Sequence, residues 1–157
     1  AKTLIDQGAD ILLQHTDSPA PVQVAEKRGV WAVGQASDME HFGPKAHLTA
    51  IVDNWAPYYI ERVKAAIDGS WKSMDTWGGF KSGMVELSPY NKAIPADIVE
   101  LAENARKGLM DGSIHPFAGP IKDQTGKVVV PEGEVADDEM LLGMNFYVEG
   151  ITGSIPK

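Results

Sequence analysis

The sequence contains no cysteine among its 157 residues. This absence excludes disulfide bonds, thiolate metal sites and a cysteine nucleophile, although it does not identify the cellular compartment. Long hydrophobic runs are also missing, since no stretch approaches the roughly 20 apolar residues that a membrane-spanning helix needs. The first residues lack the charged segment and apolar stretch of a secretion signal. We therefore expect that nothing in these residues crosses or enters a membrane.

Basic side chains are scarce relative to acidic ones. The chain has 14 lysine and arginine residues against 22 aspartate and glutamate residues, which gives a net charge of -8. Such a charge repels a polyphosphate backbone and argues against nucleic acid as a partner. A hydrophobic content of 43% is enough to build a compact core, so the composition predicts a folded domain.

Short apolar runs alternate with a helical pattern at the start of the chain. Residues 10–15 and 30–34 have the composition of buried strands, and residues 18–27 between them have a helical pattern ending at Gly29. This alternation predicts an α/β fold with a parallel sheet covered by helices on both faces. Ligands of such sheets bind beyond the carboxyl ends of the strands.

The remaining elements follow from periodicity and from helix-stop residues. The Asp-Gly-Ser sequences at 68–70 and 111–113 are typical of helix ends. The predicted elements are a strand at 47–52, an amphipathic helix at 55–67, an extended segment at 76–87, a helix at 95–110, a hairpin at 121–130 and a helix at 137–148.

Five sequence strings resemble those of one receptor family, in the same order along the chain. They are QHTDSP at 14–19, SDM at 37–39 with FGPKAHLT at 42–49, NWAPYY at 54–59, WGGFKSGM at 77–84 and HPFAGPIKD at 115–123. The family is that of the basic membrane proteins (Bmp), substrate-binding lipoproteins of ABC transporters that include purine nucleoside receptors. Any one of these strings would be weak evidence for the family, but five strings in the same order make a chance resemblance a poor explanation.

The resemblance implies a two-lobed, type I periplasmic binding-protein fold that closes on a purine nucleobase or nucleoside without chemistry. The chain corresponds to the C-terminal half of the family's sequence, as its start in mid-helix also suggests. The implied partners are the membrane subunits of an ABC importer, and no cofactor or metal is expected. The implied location is periplasmic or extracytoplasmic, with a lipidated N-terminus that lies outside this chain.

The same architecture predicts how the chain divides between the two lobes. Residues 1–52 are expected in the second lobe, 53–78 form a crossover helix of the first lobe, and 79–157 return to the second lobe. The apolar face of the crossover helix, with Tyr59 and Val63, would then need another partner. That partner would be the missing N-terminal half or a second copy of the chain.

Asp38 follows the second predicted strand, where a ligand is expected. Its carboxylate can accept two hydrogen bonds from ribose hydroxyls or purine N–H groups, and it matches the Ser-Asp ligand contact of the resembled family. The alternative is an Asx turn or helix cap. Thr16 and Asp17 follow the first strand and should face the same crevice. An N-cap with proline in the first helical turn is the alternative for Asp17.

Two tryptophans are candidates for stacking on a purine ring. Trp55 and Trp77 offer flat aromatic faces, and Gly79, next to Gly78, permits close approach of the backbone. For Trp55, packing inside the protein is an equal alternative. Trp31 and Trp71 are instead expected to fill cores.

Lys81 resembles the lysine of the family's Gly-x-Lys segment, which would place an ammonium group near a ribose oxygen or ring nitrogen. Lysines are otherwise mostly solvated. The four histidines show no paired spacing on a helix, which argues against zinc. A hydrolase using His15, Asp17 and Ser37 at adjacent strand ends, and a structural α/β interaction module, are the alternative functions.

Overall fold

The computed structural model describes residues 1–155. The chain forms two compact units, Ala1–Arg106 and Lys107–Lys157. Among the described residues, none of the helices combines the length and apolar character needed to cross a membrane.

The first unit alternates helices and strands. Its elements are α1 (Lys2–Asp6), β1 (Ile11–Leu13), α2 (Ala20–Arg28), β2 (Trp31–Ala36), β3 (His47–Asp53), α3 (Ala56–Asp68), β4 (Val85–Leu87) and α4 (Ala96–Asp111), the last of which crosses the boundary between the units. Short 3-10 helices occupy Glu40–Phe42 and Phe80–Ser82. The predicted extended segment at 76–87 is therefore a strand only at its end.

The strands form one sheet in the order β1-β2-β3-β4. The first three run parallel, which confirms the predicted α/β class, whereas β4 pairs antiparallel with β3. Val85, the first residue of β4, pairs with Asp53, the last residue of β3. As a result β4 begins at the edge of the sheet where the parallel strands end.

Helix α2 covers one face of the sheet and buries the core of this unit. The core residues are Leu12, Val22, Ala25, Ala32, Met39 and Ala46. Glu26 anchors α2 because its Oε2 accepts the N–H groups of Lys45 and Ala46, at 2.9 and 2.8 Å. Helix α2 ends at Gly29 in the left-handed conformation, φ 70°, as the sequence predicted.

The opposite face is open at the β1 end of the sheet in the described part of the chain. Ile11 and Leu13 are 51% and 72% exposed because alternate side chains of a strand point to opposite faces. Trp31 pairs with Ile11, lies on that face and is 38% exposed. The expectation that Trp31 and Trp71 fill cores is therefore wrong for this chain, since Trp71, in the irregular segment after α3, is 54% exposed.

Helix α3 contains no buried residue. Its apolar face is exposed, with 59% of Tyr59 and 58% of Val63 accessible. The helix begins with Pro57 in its first turn and ends at Gly69, φ 77°, where Asp68 Oδ1 accepts the N–H of Ser70 at 2.9 Å. The predicted helix-stop role of Asp-Gly-Ser is confirmed.

The second unit contains the predicted hairpin, formed by β5 (Ile121–Lys122) and β6 (Val128–Val130) in antiparallel pairing. The last helix, α5 (Asp138–Leu142), is shorter than the predicted 137–148. The prediction was wrong because the following residues pair with the hairpin: the N–H of Gln124 donates to Tyr147, and the N–H of Glu149 donates to Lys122.

Ser88 links the end of β4 to the middle of β3. Its hydroxyl accepts the N–H of Ala50 at 2.8 Å, and both residues are buried. Replacing Ser88 by Ala should lower the free energy of unfolding by about 1.5 kcal/mol, because a buried N–H loses its acceptor. Urea unfolding monitored by circular dichroism measures the change, with the exposed Ser73→Ala as control. A Ser88→Ala variant as stable as the control would contradict this prediction.

Candidate functional site

The carboxyl ends of β1, β2 and β3 lie at one edge of the sheet because the three strands are parallel. The segment leading into the antiparallel β4 reaches the same edge. This topology places all seven predicted ligand residues in segments at that edge: Thr16, Asp17, Asp38, Trp55, Trp77, Gly79 and Lys81. We call this edge the carboxyl edge. The ligand roles of these seven residues remain predictions.

The carboxyl edge is about as wide as a small ligand. Neighbouring strands lie about 4.8 Å apart, so the end of β2 and the start of β4 are separated by about 10 Å. Asp38 follows β2, and Lys81 precedes β4. The segments that carry these two residues are therefore about two strand spacings apart.

Gln14 joins the loops that follow β1 and β2. Its Nε2 donates to the carbonyls of Thr16 and Ser18, both at 2.9 Å, and contacts Met39 Sδ at 3.5 Å. Its Oε1 is buried and has no hydrogen-bond partner among the described residues. Gln14 was not selected from the sequence because a glutamine after a strand carries no distinctive signal.

Thr16 and Ser18 form consecutive turns before α2. Thr16 Oγ1 accepts the N–H of Ser18, and Ser18 Oγ accepts the N–H of Ala20, both at 3.3 Å. Pro19 occupies the N-cap position of α2, without a side-chain capping bond. The alternative interpretation of Asp17 as an N-cap is therefore wrong. Asp17 is an exposed residue beside these turns.

Asp38 is held in a turn while its carboxylate stays accessible. Its Oδ1 accepts the N–H of Glu40 at 3.0 Å, which is the Asx turn offered as the alternative interpretation. The side chain is nevertheless 43% exposed. The next residue, Met39, is 2% exposed and anchors the turn in the core. The turn and a ligand contact are therefore compatible.

His47 lies beside Asp38 although the two are separated along the chain. The distance from His47 Nε2 to Asp38 Oδ1 is 3.8 Å. His47 is 2% exposed. Burial lowers the pKa of His47, and the nearby charges of Asp38 and Glu40 partly oppose that effect. Sequence reasoning considered this histidine only as a metal ligand and missed its position.

Trp55 belongs to an aromatic group at the start of α3. Its ring centroid lies 6.0 Å from that of Tyr58 and 5.9 Å from that of Tyr59. Trp55 is 49% exposed. The neighbouring Asn54 Nδ2 donates to Glu86 Oε1 at 2.9 Å and fixes the start of this segment to β4. The aromatic group is thus attached at the carboxyl edge and open to solvent.

Trp77 and Lys81 flank a compact turn before β4. Ser82 Oγ donates to the carbonyl of Gly79 at 3.0 Å, which fixes the turn that carries Lys81. A Cβ at Gly78 would overlap Met84 Sδ, whereas a Cβ at Gly79 would meet nothing within 4 Å. Side chains of the protein itself therefore fill the space at Gly78, whereas the backbone at Gly79 is open.

A groove of about 480 Å³ lies beside β4. Its polar lining includes Glu103, which accepts a hydrogen bond from Tyr90 Oη at 2.9 Å and pairs with Arg106 at 2.7 Å. Burial and the bond to Glu103 raise the pKa of Tyr90. The groove is lined by none of the seven predicted ligand residues. Its polar groups satisfy one another, which is typical of a structural network.

His15, Asp17 and Ser37, the residues of the hydrolase alternative, follow the strands β1 and β2. Within residues 1–155, no cluster of three histidine, aspartate or glutamate side chains is arranged to hold a metal ion.

The sequence profile of a family described as "Bmp: ABC transporter substrate-binding protein PnrA-like" matches residues 1–123. The chain belongs to the Bmp family. The predicted membership is thereby confirmed. Proteins of the Bmp family are substrate-binding proteins of ABC transporters and work outside the cytoplasm. The seven candidate residues all lie within the matched part of the chain.

Two curated proteins are similar to the whole chain. A purine-binding protein from Brucella abortus is 52% identical over 157 residues, which is 100% of this chain and 45% of that protein. A protein from Haloferax volcanii, provisionally named an ABC transporter glucose-binding protein, is 28% identical, over 100% of this chain and 38% of its own length. The chain therefore spans less than half the length of these relatives.

Solved structures support the fold. A transcriptional activator of the comK gene from Bacillus halodurans matches 73% of this chain and 41% of its own, at 20% identity and a TM-score of 0.66. A solute-binding protein of an ABC transporter system from Aeropyrum pernix K1 matches 90% of this chain and 45% of its own, at 15% identity and a TM-score of 0.58. At these identities the likeness concerns the fold alone.

Proposed function

We propose that this chain is part of a solute receptor for an ABC importer and binds a purine nucleobase or nucleoside without altering it. The proposal is supported chiefly by the strand order of the sheet, which brings the segments that carry Asp38, Trp55 and Lys81 to the carboxyl edge. The 52% identity to a named purine-binding protein supports the ligand class.

The candidate residues suit the chemistry of a purine. The exposed carboxylate of Asp38 would accept hydrogen bonds from ring N–H groups or ribose hydroxyls. Lys81 would donate to a ring nitrogen or a ribose oxygen, while Trp55 or Trp77 would cover a face of the ring. Thr16, Asp17 and the open backbone at Gly79 would complete the polar contacts.

The receptor is proposed to have two lobes, and this chain supplies only part of the cleft between them. The exposed faces of α3 and of the β1 end of the sheet would pack against the rest of the protein, as the 45% coverage of the Brucella relative suggests. Ligand would bridge both lobes and favour the closed form, which the importer's membrane subunits recognise. The receptor would work in the periplasm or at the cell surface, held by a lipidated N-terminus outside this chain.

Calorimetry of the complete receptor with adenine, guanosine and inosine tests the proposal, with glucose as the control ligand. We expect saturable binding of at least one purine and no heat of binding from glucose. Chromatography of the same samples should recover the purine unchanged. Conversion of the purine would favour the hydrolase alternative, and absence of binding to every compound would favour a structural module.

Replacing Trp55 by Ala should weaken purine binding about tenfold, because base–aromatic stacking contributes about 1–3 kcal/mol per base. Trp55→Phe keeps an aromatic face and should lose much less affinity. Titration followed by calorimetry measures both. Equal affinity of Trp55→Ala and the unmodified receptor would assign Trp55 to packing on Tyr58 and Tyr59. Trp77→Ala would then test the other indole.

A further inference from the structure

His47 is the first residue of β3, at the end of that strand opposite to the carboxyl edge, yet its imidazole reaches Asp38. Gly34 of β2 makes this possible. A Cβ at Gly34 would lie 3.2 Å from His47 Nε2, closer than almost all real Cβ contacts. The bare glycine therefore leaves the space through which the ring extends toward the carboxylate.

Asp38 offers a hydrogen-bond acceptor to the imidazole of His47. Nε2 is buried and has no hydrogen-bond partner among residues 1–155. The nearby acceptor is Asp38 Oδ1, at 3.8 Å. This exceeds the 2.7–3.2 Å typical of a hydrogen bond, but a small rotation of the half-exposed carboxylate would close the gap. A buried donor without a partner is unfavourable, so closure is favoured.

We propose that His47 is a positioning residue, which donates its Nε2–H to Asp38 Oδ1 and leaves Oδ2 directed at the ligand. This inference rests on the proposed purine-binding function. The Asx turn already directs the N–H of Glu40 to Oδ1 at 3.0 Å. Two donors on one oxygen would fix the carboxylate plane before ligand arrives and reduce the ordering that binding requires.

The protonation state of His47 follows from its surroundings. An ionised carboxylate only accepts hydrogen bonds, so the tautomer with hydrogen on Nε2 suits this contact. Asp38 and Glu40 are the charged groups that raise the pKa of His47, and burial, which lowers it, is the larger effect. On the side of α2, Glu26 is occupied by the backbone N–H groups of Lys45 and Ala46. At neutral pH the ring is therefore a neutral donor.

Acidification should weaken this arrangement. A protonated ring neutralises the carboxylate that the ligand uses, so purine affinity should fall as the pH drops through the pKa of His47, which burial holds below the ordinary value for histidine. The fold should lose stability as the pH falls from the ordinary pKa of histidine toward this lowered one, because the unfolded chain takes up the proton more readily than the folded chain.

Two substitutions of His47 in the complete receptor separate positioning from packing. His47→Leu removes the hydrogen-bond donor and fills the same space with an apolar side chain. Purine binding at pH 7.5 should then weaken about tenfold. His47→Gln keeps an N–H donor that does not titrate. It should stay within about threefold of the unmodified receptor at pH 7.5 and lose the decline in affinity between pH 7.5 and pH 5.

The outcomes decide between the interpretations. Full affinity of a folded His47→Leu variant would overturn the proposal, as would an unchanged pH profile in His47→Gln. The profile of His47→Gln still decides the matter if His47→Leu does not fold. In the ligand-free receptor, the carboxyl ¹³C resonance of Asp38 should shift with His47 titration and lose that step in His47→Gln. This measurement tests the contact between His47 and Asp38 even if no purine binds. Absence of purine binding would refute the proposed function but would leave this contact untouched.

Discussion

Purine binding is expected to weaken about 100-fold when Asp38 is replaced by Asn. A hydrogen bond to a charged group contributes about 1.5–3 kcal/mol, and the carboxylate is proposed to accept two. In the asparagine variant an amide N–H₂ group, which is a donor, would face a donor of the ligand at the place where the carboxylate offered an acceptor oxygen. Its remaining oxygen can still accept the N–H of Glu40, so the turn after β2 should persist. The loss should therefore appear in affinity and leave the fold intact.

Calorimetry with the best-bound purine measures this loss, and circular dichroism verifies the fold. Asp10→Asn is the matched control, because Asp10 directly precedes β1 and lies at the opposite edge of the sheet. It should bind as the unmodified receptor does. An Asp38→Asn variant within threefold of that control would remove Asp38 from the binding site.

A second large effect is expected at Gly34. An added Cβ would lie 2.9 Å from Ala50 Cβ and 3.2 Å from His47 Nε2. Both neighbours are buried and can move little. Overpacking of this kind costs about 1–3 kcal/mol, so Gly34→Ala should lower the free energy of unfolding by about 2 kcal/mol. Urea unfolding of the receptor measures the change.

A compensating substitution gives this prediction its control. Ala50→Gly removes the methyl group nearest to the new Cβ, so the double variant Gly34→Ala/Ala50→Gly should recover part of the lost packing. The interaction between the two substitutions should therefore be favourable in a double-mutant cycle. Additive effects would mean that the two positions are not in contact. In Gly34→Ala the displaced His47 ring should also weaken ligand binding.

The parallel part of the fold could be predicted because its signals are local. The short apolar runs of β1 and β2 and the helix between them are read directly from hydrophobicity, and Gly29 and Gly69 end helices through their left-handed backbone. The hairpin at 121–130 was recognisable for the same reason. Such features depend on residues close together in the chain.

Features that depend on distant partners were not predictable from the sequence. The antiparallel direction of β4 is set by its pairing with β3. Residues after Gly143 pair with the hairpin, and this ended α5 earlier than its helical periodicity indicated. Trp31 was assigned to a core because tryptophan is usually well buried, but the sheet face that carries it is open at this end.

The candidate site was predictable only in part. Polar residues directly after parallel strands mark the carboxyl edge, and this principle located Thr16 and Asp38. His47 was missed because it begins a strand at the other end of the sheet, and only the space above Gly34 brings its ring to Asp38. Trp77 was located through its flat aromatic face beside two glycines, whereas Lys81 was located through the resemblance to the Bmp family, since an exposed lysine carries little signal alone.

Mass spectrometry of small molecules released by denaturing the complete receptor, purified from its own cells, tests the proposed function most directly. A receptor that closes around its ligand should retain it through purification, so a purine nucleobase or nucleoside should be released in an amount comparable to the protein. The Asp38→Asn variant, purified in parallel, should release far less. Recovery of a sugar or another non-purine solute in stoichiometric amount, with no purine, would contradict the assignment.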